Sequence, residues 1–195
     1  MNLGASSSEE YGAYFSWGET VPKAYVGGNA TYRWCQLGFY NDMYKYFITK
    51  YNTDYNSGTL DNKTRLDLED DSAAALLGGK WRMPSKPEID ELIDNCTWTK
   101  GKTNGIDGYT VKSMINGNSI FIPLAGAIDA QGGLLEIGEQ VYLLSSSLSG
   151  DSKEFYWYAY TPWLSFAIHT DIENGIYSTI VARTACYPIR PVLGQ

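Results

Sequence analysis

The predicted arrangement of helices and strands is decided by residues 78–88, which read Gly78-Gly79-Lys80-Trp81-Arg82-Met83-Pro84-Ser85-Lys86-Pro87-Glu88. Paired glycines are typical of a helix end, and a proline just after a hydroxyl residue is typical of a helix start. Ser85 and Glu88 have the spacing of a capping box, in which each side chain binds the backbone N–H of the other residue. The segment therefore separates two predicted helices.

The first predicted helix is about eight residues long and contains Ala73–Leu77, which follow Glu69, Asp70, Asp71 and Ser72. Acidic and hydroxyl side chains accept hydrogen bonds from the free N–H groups of a helix start, and alanine favours the helix interior. Carboxylates are also the ligands that calcium prefers, so calcium is the alternative role for the three acids. Because caps are the more common role, we predict neither a metal nor any other cofactor.

The second predicted helix runs from Lys86 to Asn95. Ile89, Leu92 and Ile93 follow the i, i+3, i+4 spacing of one apolar face. The acidic residues between them then face solvent, where a catalytic pair of carboxylates is not expected.

Beyond the second helix the hydrophobic period changes to two, which is typical of strands. Residues 108–113 and 119–123 flank an Asn116-Gly117 turn and predict a hairpin. Residues 24–60 show no sustained period and predict a long irregular loop with short strands, and a helical turn or two between Tyr40 and Tyr51. Further strands are predicted at 11–18, 97–99, 141–147, 157–167, 176–183 and 189–192, with a glycine-rich loop at 126–138.

Helices segregated from antiparallel strands predict the α+β class. No repeat or linker divides the 195 residues, so we expect a single ligand-binding domain over residues 1–195.

The charge pattern argues against one class of partner and the hydropathy against another. The net charge is −7 and the basic residues are scattered singly, which argues against nucleic acid because phosphates need clustered cations. No apolar stretch approaches the roughly 18 residues of a bilayer span, so direct membrane insertion is not expected. Residues 1–10 are small and polar and lack the pattern of a secretion signal.

The cysteines are not expected to form a disulfide framework. Cys35, Cys96 and Cys186 are an odd number, and with one histidine, His169, they match no zinc motif. Buried free thiols are expected, and a Cys35–Cys96 bridge is the alternative.

Five segments in register carry a family resemblance: 78–88, Tyr11–Thr20, Asn95–Trp98, Asn116–Pro123 and Ile189–Val192. Together they resemble the "major paralogous domain" of bacterial surface proteins, which is related to the C-terminal domain of collagen-like bacterial adhesins. Both families are similar to the formylglycine-generating-enzyme branch of the C-type-lectin fold. The resemblance implies a C-type-lectin-like fold with two short helices, antiparallel strands and long irregular loops. It also implies an extracellular setting, on a bacterial cell surface or a phage tail.

The motif residues themselves are expected to be structural. Trp81 is predicted to fill the core, Arg82 to anchor a turn or a carboxylate, and Arg190 to tie down the last strand. The sequence lacks the functional motifs of two groups of proteins that share this fold. The calcium-dependent sugar motifs of animal C-type lectins and the paired cysteines of formylglycine-generating enzymes are absent. Neither calcium-mediated sugar binding nor catalysis is therefore implied.

The C-terminal stretch, about residues 142–187, is the predicted contact surface. Seven aromatic residues fall within 155–166, and strict alternation would leave part of them on an exposed face. The stretch also resembles the hypervariable region of proteins diversified by retroelements, in which asparagine codons are randomised at their adenines. The predicted ligand-binding residues are Tyr142, Tyr156, Trp157, Tyr158, Tyr160, His169, Asp171, Tyr177, Thr179, Ile180, Ala182 and Thr184.

The sequence therefore predicts a ligand-binding or adhesion display domain that is not an enzyme. Its partner would be a protein or a glycan on another cell or host. The alternative is a dedicated polysaccharide-binding adhesin that uses Trp157 and Trp163 as platforms. His169 has no recognisable serine or cysteine nucleophile beside it, so catalysis is not expected.

Overall fold

Antiparallel strands make up most of the regular structure. The computed structural model describes residues 1–23, 31–149, 164–171 and 175–194. Strands account for 41% of these described residues and helices for 11%. The prediction of an α+β, C-type-lectin-like fold is therefore wrong, and the described chain is β-rich.

The error has a physical source in residues 24–60, which were predicted to be an irregular loop with short strands. The described part of that region contains a hairpin of β2 (Cys35–Tyr40) and β3 (Met43–Ile48). Its turn consists of Asn41 and Asp42, both with positive φ, which is the geometry that suits a two-residue hairpin turn. The predicted helical turn between Tyr40 and Tyr51 is wrong because aromatic side chains pack well on a pleated strand.

Both predicted helices are present and both are short. Helix α1 spans Ser72–Leu77 and α2 spans Lys86–Asp94. The remaining strands are β1 (Tyr14–Ser16), β4 (Trp81–Arg82), β5 (Cys96–Thr103), β6 (Ile106–Ser113), β7 (Ser119–Pro123), β8 (Ala127–Ile128), β9 (Leu134–Leu135), β10 (Tyr142–Leu148), β11 (Leu164–Asp171), β12 (Gly175–Ala182), β13 (Cys186–Pro188) and β14 (Val192–Leu193).

The described strands form small antiparallel sheets rather than one large sheet. Their orders are β1-β13-β8-β9, β10-β11-β12 and β5-β6-β7, with the two-stranded pairs β2-β3 and β4-β14. The hairpin predicted around Asn116-Gly117 is confirmed, because Gly108 pairs with Pro123 and Lys112 with Ser119.

The capping box of α2 is confirmed. Glu88 Oε2 accepts hydrogen bonds from the backbone N–H of Ser85 at 2.8 Å and from its Oγ at 2.7 Å. Arg82 donates to both oxygens of the same carboxylate, at 2.7 and 2.6 Å, so its predicted anchoring of a carboxylate is also confirmed. The prediction that Trp81 fills the core is wrong, because Trp81 is 40% exposed, whereas Met83, just after β4, is fully buried.

The sheet β10-β11-β12, here called the C-terminal sheet, is covered on both faces. On one face, Leu143 and Ile168 pack with Ile89 of α2 in one apolar cluster. Leu144 and Ala167 belong to a second cluster on the other face, which includes Trp17, Phe15 and Tyr187. Burial on both sides fixes the strands of this sheet against the rest of the chain.

The three cysteines are free thiols. Cys186 is fully buried with Sγ 3.2 Å from Ser16 Oγ, whereas Cys35 and Cys96 are only half-buried and do not form the alternative bridge. Within the described ranges, no helix has the length and apolar character needed to cross a bilayer.

Candidate functional site

Three of the predicted contact residues form a line across the C-terminal sheet. Tyr142 on β10 is the register partner of His169 on β11, and His169 is the partner of Tyr177 on β12. The ring centroids of Tyr142 and His169 are 4.5 Å apart at an interplanar angle of 30°, and those of His169 and Tyr177 are 5.3 Å apart at 86°. His169 Nδ1 lies 2.8 Å from the Tyr177 hydroxyl. We call this set the Tyr-His-Tyr row.

A carboxylate that sequence reasoning missed completes the row. The Tyr142 hydroxyl donates a hydrogen bond to Glu136 Oε2 at 2.7 Å, and the same oxygen is 3.9 Å from His169 Nε2. Glu136 lies in the glycine-rich stretch 126–138 and adopts a positive φ of 51°. Nothing in the local sequence marks this residue, because its place beside the row depends on how the loop returns to β10.

Burial and the Glu136 carboxylate together raise the pKa of Tyr142 well above its usual value. The phenol therefore stays protonated at neutral pH and acts as a hydrogen-bond donor rather than as a nucleophile or base. The row offers aromatic faces, an imidazole and a carboxylate, all half-buried, which suits recognition of a polar surface.

The other described contact residues divide between two faces. Thr179 is two residues from Tyr177 and lies on the same face, half-buried. Ile180 and Ala182 are an odd number of residues from Tyr177, so they lie on the opposite face. Thr184 is only 5% exposed, and its carbonyl is 3.5 Å from Ser16 Oγ, so burial removes it from the contact face.

The remaining predicted residues lie outside the described part of the chain. Tyr156, Trp157, Tyr158 and Tyr160 fall in the range 150–163, as does Trp163. For Asp171 the backbone belongs to β11, and its side chain is outside the description.

The predicted contact segment also contains part of the core. Arg183 follows β12 and is fully buried. Its guanidinium donates to the carbonyls of Tyr51 at 3.0 Å and Lys50 at 3.2 Å and to the Tyr32 hydroxyl at 3.1 Å. It also lies 4.5 Å from the centre of the Trp17 ring. Residues 142–187 are thus not a uniform surface, since a structural arginine ties β12 to the N-terminal half.

The acidic group before α1 holds a lysine. The ligand oxygens of Asp67, Glu69 and Asp70 lie within 4.8 Å of one another. Lys50 Nζ is among them, at 2.9, 3.2 and 2.6 Å respectively. Asp71, the third acid of the calcium alternative, instead caps α1 at Ala73 and Ala74. The cation that these carboxylates bind here is the Lys50 ammonium group.

Comparisons of this chain with protein-family models, with curated proteins and with solved structures find no match. The family resemblance noted in the sequence therefore stays a prediction, and function must be argued from the geometry of the site.

Proposed function

We propose that this protein is a non-catalytic ligand-binding domain, and that its contact face is centred on the Tyr-His-Tyr row of the C-terminal sheet. The partner is a protein or a glycan on the surface of another cell or host. The resemblance to bacterial surface proteins supports an extracellular setting, on a bacterial cell or a phage tail.

One observation carries the proposal. Tyr142, His169 and Tyr177 are predicted contact residues from three separate strands, and they lie side by side with Glu136 at their edge. Tyrosine is well suited to such a face because its rigid ring stacks while its hydroxyl bonds to a partner.

The surroundings of the row support a preorganised site. The C-terminal sheet is packed on both faces, and Arg183 fixes the end of β12. A site on rigid strands loses little conformational entropy on binding, so more of the contact energy appears as affinity.

The binding test uses the labelled domain on an array of glycans and an array of extracellular bacterial and host proteins. His169→Ala and Tyr177→Phe alter the row, and Tyr44→Phe is the control at an exposed tyrosine of the hairpin. We expect at least one array component to bind the wild type. His169→Ala should weaken that binding at least about tenfold, or about 1.4 kcal/mol, while Tyr44→Phe leaves it unchanged.

Two results would contradict the proposal. In the first, no component binds, or the His169→Ala and Tyr177→Phe variants bind as well as the wild type. In the second, mass spectrometry shows that the bound component has been chemically converted, which would overturn the non-catalytic assignment.

The possibility of hypervariability is tested by sequencing the encoding gene across its source population. In a diversified face, substitutions concentrate at half-buried positions such as Tyr142, His169, Tyr177 and Thr179. The fully buried Arg183 stays constant. Equal constancy at all of these positions would mean a fixed ligand, as a dedicated adhesin has.

A further inference from the structure

A concave surface lies beside the hairpin of β2 and β3, on residues that the proposed function does not use. It is a groove of about 480 Å³, bounded by the two strands and by the turn Tyr55–Thr59. This volume falls within the range of ordinary small-ligand sites, which is about 300–1,000 Å³. We call it the hairpin groove.

The floor of the groove presents an aromatic ring laid against the sheet. A Cβ built on Gly38 would be 2.8 Å from the Phe47 ring, so the ring occupies the space that a side chain at Gly38 would fill. The Tyr40 ring approaches edge-on, with centroids 6.3 Å apart at 81°, and Lys45 Nζ lies 5.6 Å from the Phe47 centroid. Glycine at position 38 thus allows Phe47 to form a platform on this face.

The wall of the groove is held in place by its own hydrogen bonds. Thr59 donates its backbone N–H to Ile48 O at 2.8 Å, and Gly58 forms a bridge with the same residue. Lys45 Nζ donates to Asn56 O at 3.1 Å, which ties the turn to β3. Tyr55 therefore stands on a fixed turn with 77% of its surface exposed. Its ring forms the outer rim of the groove.

The polar chemistry of the lining is neutral. Gln36 contributes an amide, and Thr49 and Thr59 contribute hydroxyl groups. Among the residues that the structure describes, the lining includes no carboxylate and no cationic side chain, and the nearby Lys45 ammonium is bonded to the Asn56 carbonyl. Such a site has no charge to match a phosphate, a sulfate or an acidic sugar.

We propose that the hairpin groove binds a neutral oligosaccharide. Sugar rings have apolar C–H faces that pack on aromatic rings, here Phe47 and Tyr55, and hydroxyl edges that bond to amides and hydroxyls. An extended peptide fits less well, because Ile48 at the end of β3 is already bridged to Gly58, which occupies the backbone groups that an added strand would pair with there. This inference does not depend on the Tyr-His-Tyr row.

The test titrates the whole domain with pentasaccharides of β-linked glucose, α-linked glucose, mannose, xylose and N-acetylglucosamine, into the millimolar range. Binding is followed by calorimetry and by saturation-transfer NMR. The variants are Tyr55→Ala and Gln36→Ala, both at exposed positions. Tyr44→Ala is the matched control, because Tyr44 is also 77% exposed but lies on the opposite face of the hairpin.

We expect at least one of these pentasaccharides to bind. Tyr55→Ala should weaken its binding at least about tenfold, and Tyr44→Ala should change it by less than about twofold. Circular dichroism confirms that each variant is folded. The proposal is overturned if none of the pentasaccharides binds, or if the Tyr55→Ala and Gln36→Ala variants bind as the wild type does. It is also overturned if a sulfated oligosaccharide or a short peptide binds more tightly than every neutral sugar and loses that binding in the Tyr55→Ala variant.

Discussion

Arg183→Met should destabilise the fold more than any surface change in the contact segment. Methionine is nearly as long as arginine and apolar, so it fills much of the same space without donating hydrogen bonds. The fully buried guanidinium donates to the carbonyls of Lys50 and Tyr51 and to the Tyr32 hydroxyl. All three acceptors would lose this donor.

The magnitude follows from these contacts. A buried acceptor that loses its partner costs about 1–3 kcal/mol, and the two carbonyls cannot easily turn toward water. The desolvation of the guanidinium is relieved in the variant and offsets part of that cost. We expect a net loss of about 3 kcal/mol in the free energy of unfolding, a large share of the 5–15 kcal/mol typical of a domain.

Urea unfolding followed by tryptophan fluorescence measures this loss. With an m-value of about 2 kcal/mol/M, the midpoint should fall by about 1.5 M. Arg33→Met is the control, because Arg33 is 53% exposed and its contact with Asp70 is 3.4 Å. It should cost less than about 1 kcal/mol. Equal midpoints for the two variants would refute the structural role assigned to Arg183.

Three further predictions concern residues that stabilise the fold. The pKa of Glu88 is lowered from 4.5 to about 2, chiefly by its hydrogen bond with Arg82, so its stabilisation is complete above pH 4.5 and is lost as the pH falls toward 2. Glu88→Gln should remove about 1–2 kcal/mol of this pH dependence. If the urea midpoints of the wild type and of Glu88→Gln fell equally as the pH is lowered, the prediction would be contradicted. Gly58→Ala should cost more than about 3 kcal/mol in urea unfolding, because its Cβ would be 2.0 Å from Ile48 O, whereas Gly105→Ala, with nothing within 4 Å, should cost about 1 kcal/mol. Similar losses would contradict that clash. Cys186, fully buried, should react with a thiol reagent only after unfolding, and Cys35 should react slowly because burial raises its pKa to about 11. Rapid alkylation of Cys186 in the native protein, detected by mass spectrometry, would contradict the packing.

Local signals in the sequence were reliable where they depend on neighbouring residues. The capping box of Ser85 and Glu88 and the Asn116-Gly117 hairpin are both present, since each is set by contacts within a few residues. Short strands were expected within residues 24–60, but the hairpin of β2 and β3 was not located, because its aromatic residues lie on both faces and show no clean alternation. The fold class was wrong for the same reason, as strands without a clear period were assigned to loops.

The candidate site was only partly accessible to sequence reasoning. Tyr142, His169 and Tyr177 were chosen for their residue types, and the strand register then placed them side by side. Glu136 and Arg183 were missed because their roles depend on contacts with residues far along the chain. Thr184 was predicted to be exposed and is buried, since the chain turns inward after β12.

The most direct test of the account is a hydrogen-exchange footprint of the domain bound to its strongest array component. We predict that protection on binding is concentrated in residues 134–144, 164–171 and 175–180, which carry Glu136 and the Tyr-His-Tyr row. Protection confined to residues 35–59 would place the contact in the hairpin groove alone. Protection in neither region, with the component firmly bound, would contradict both assignments.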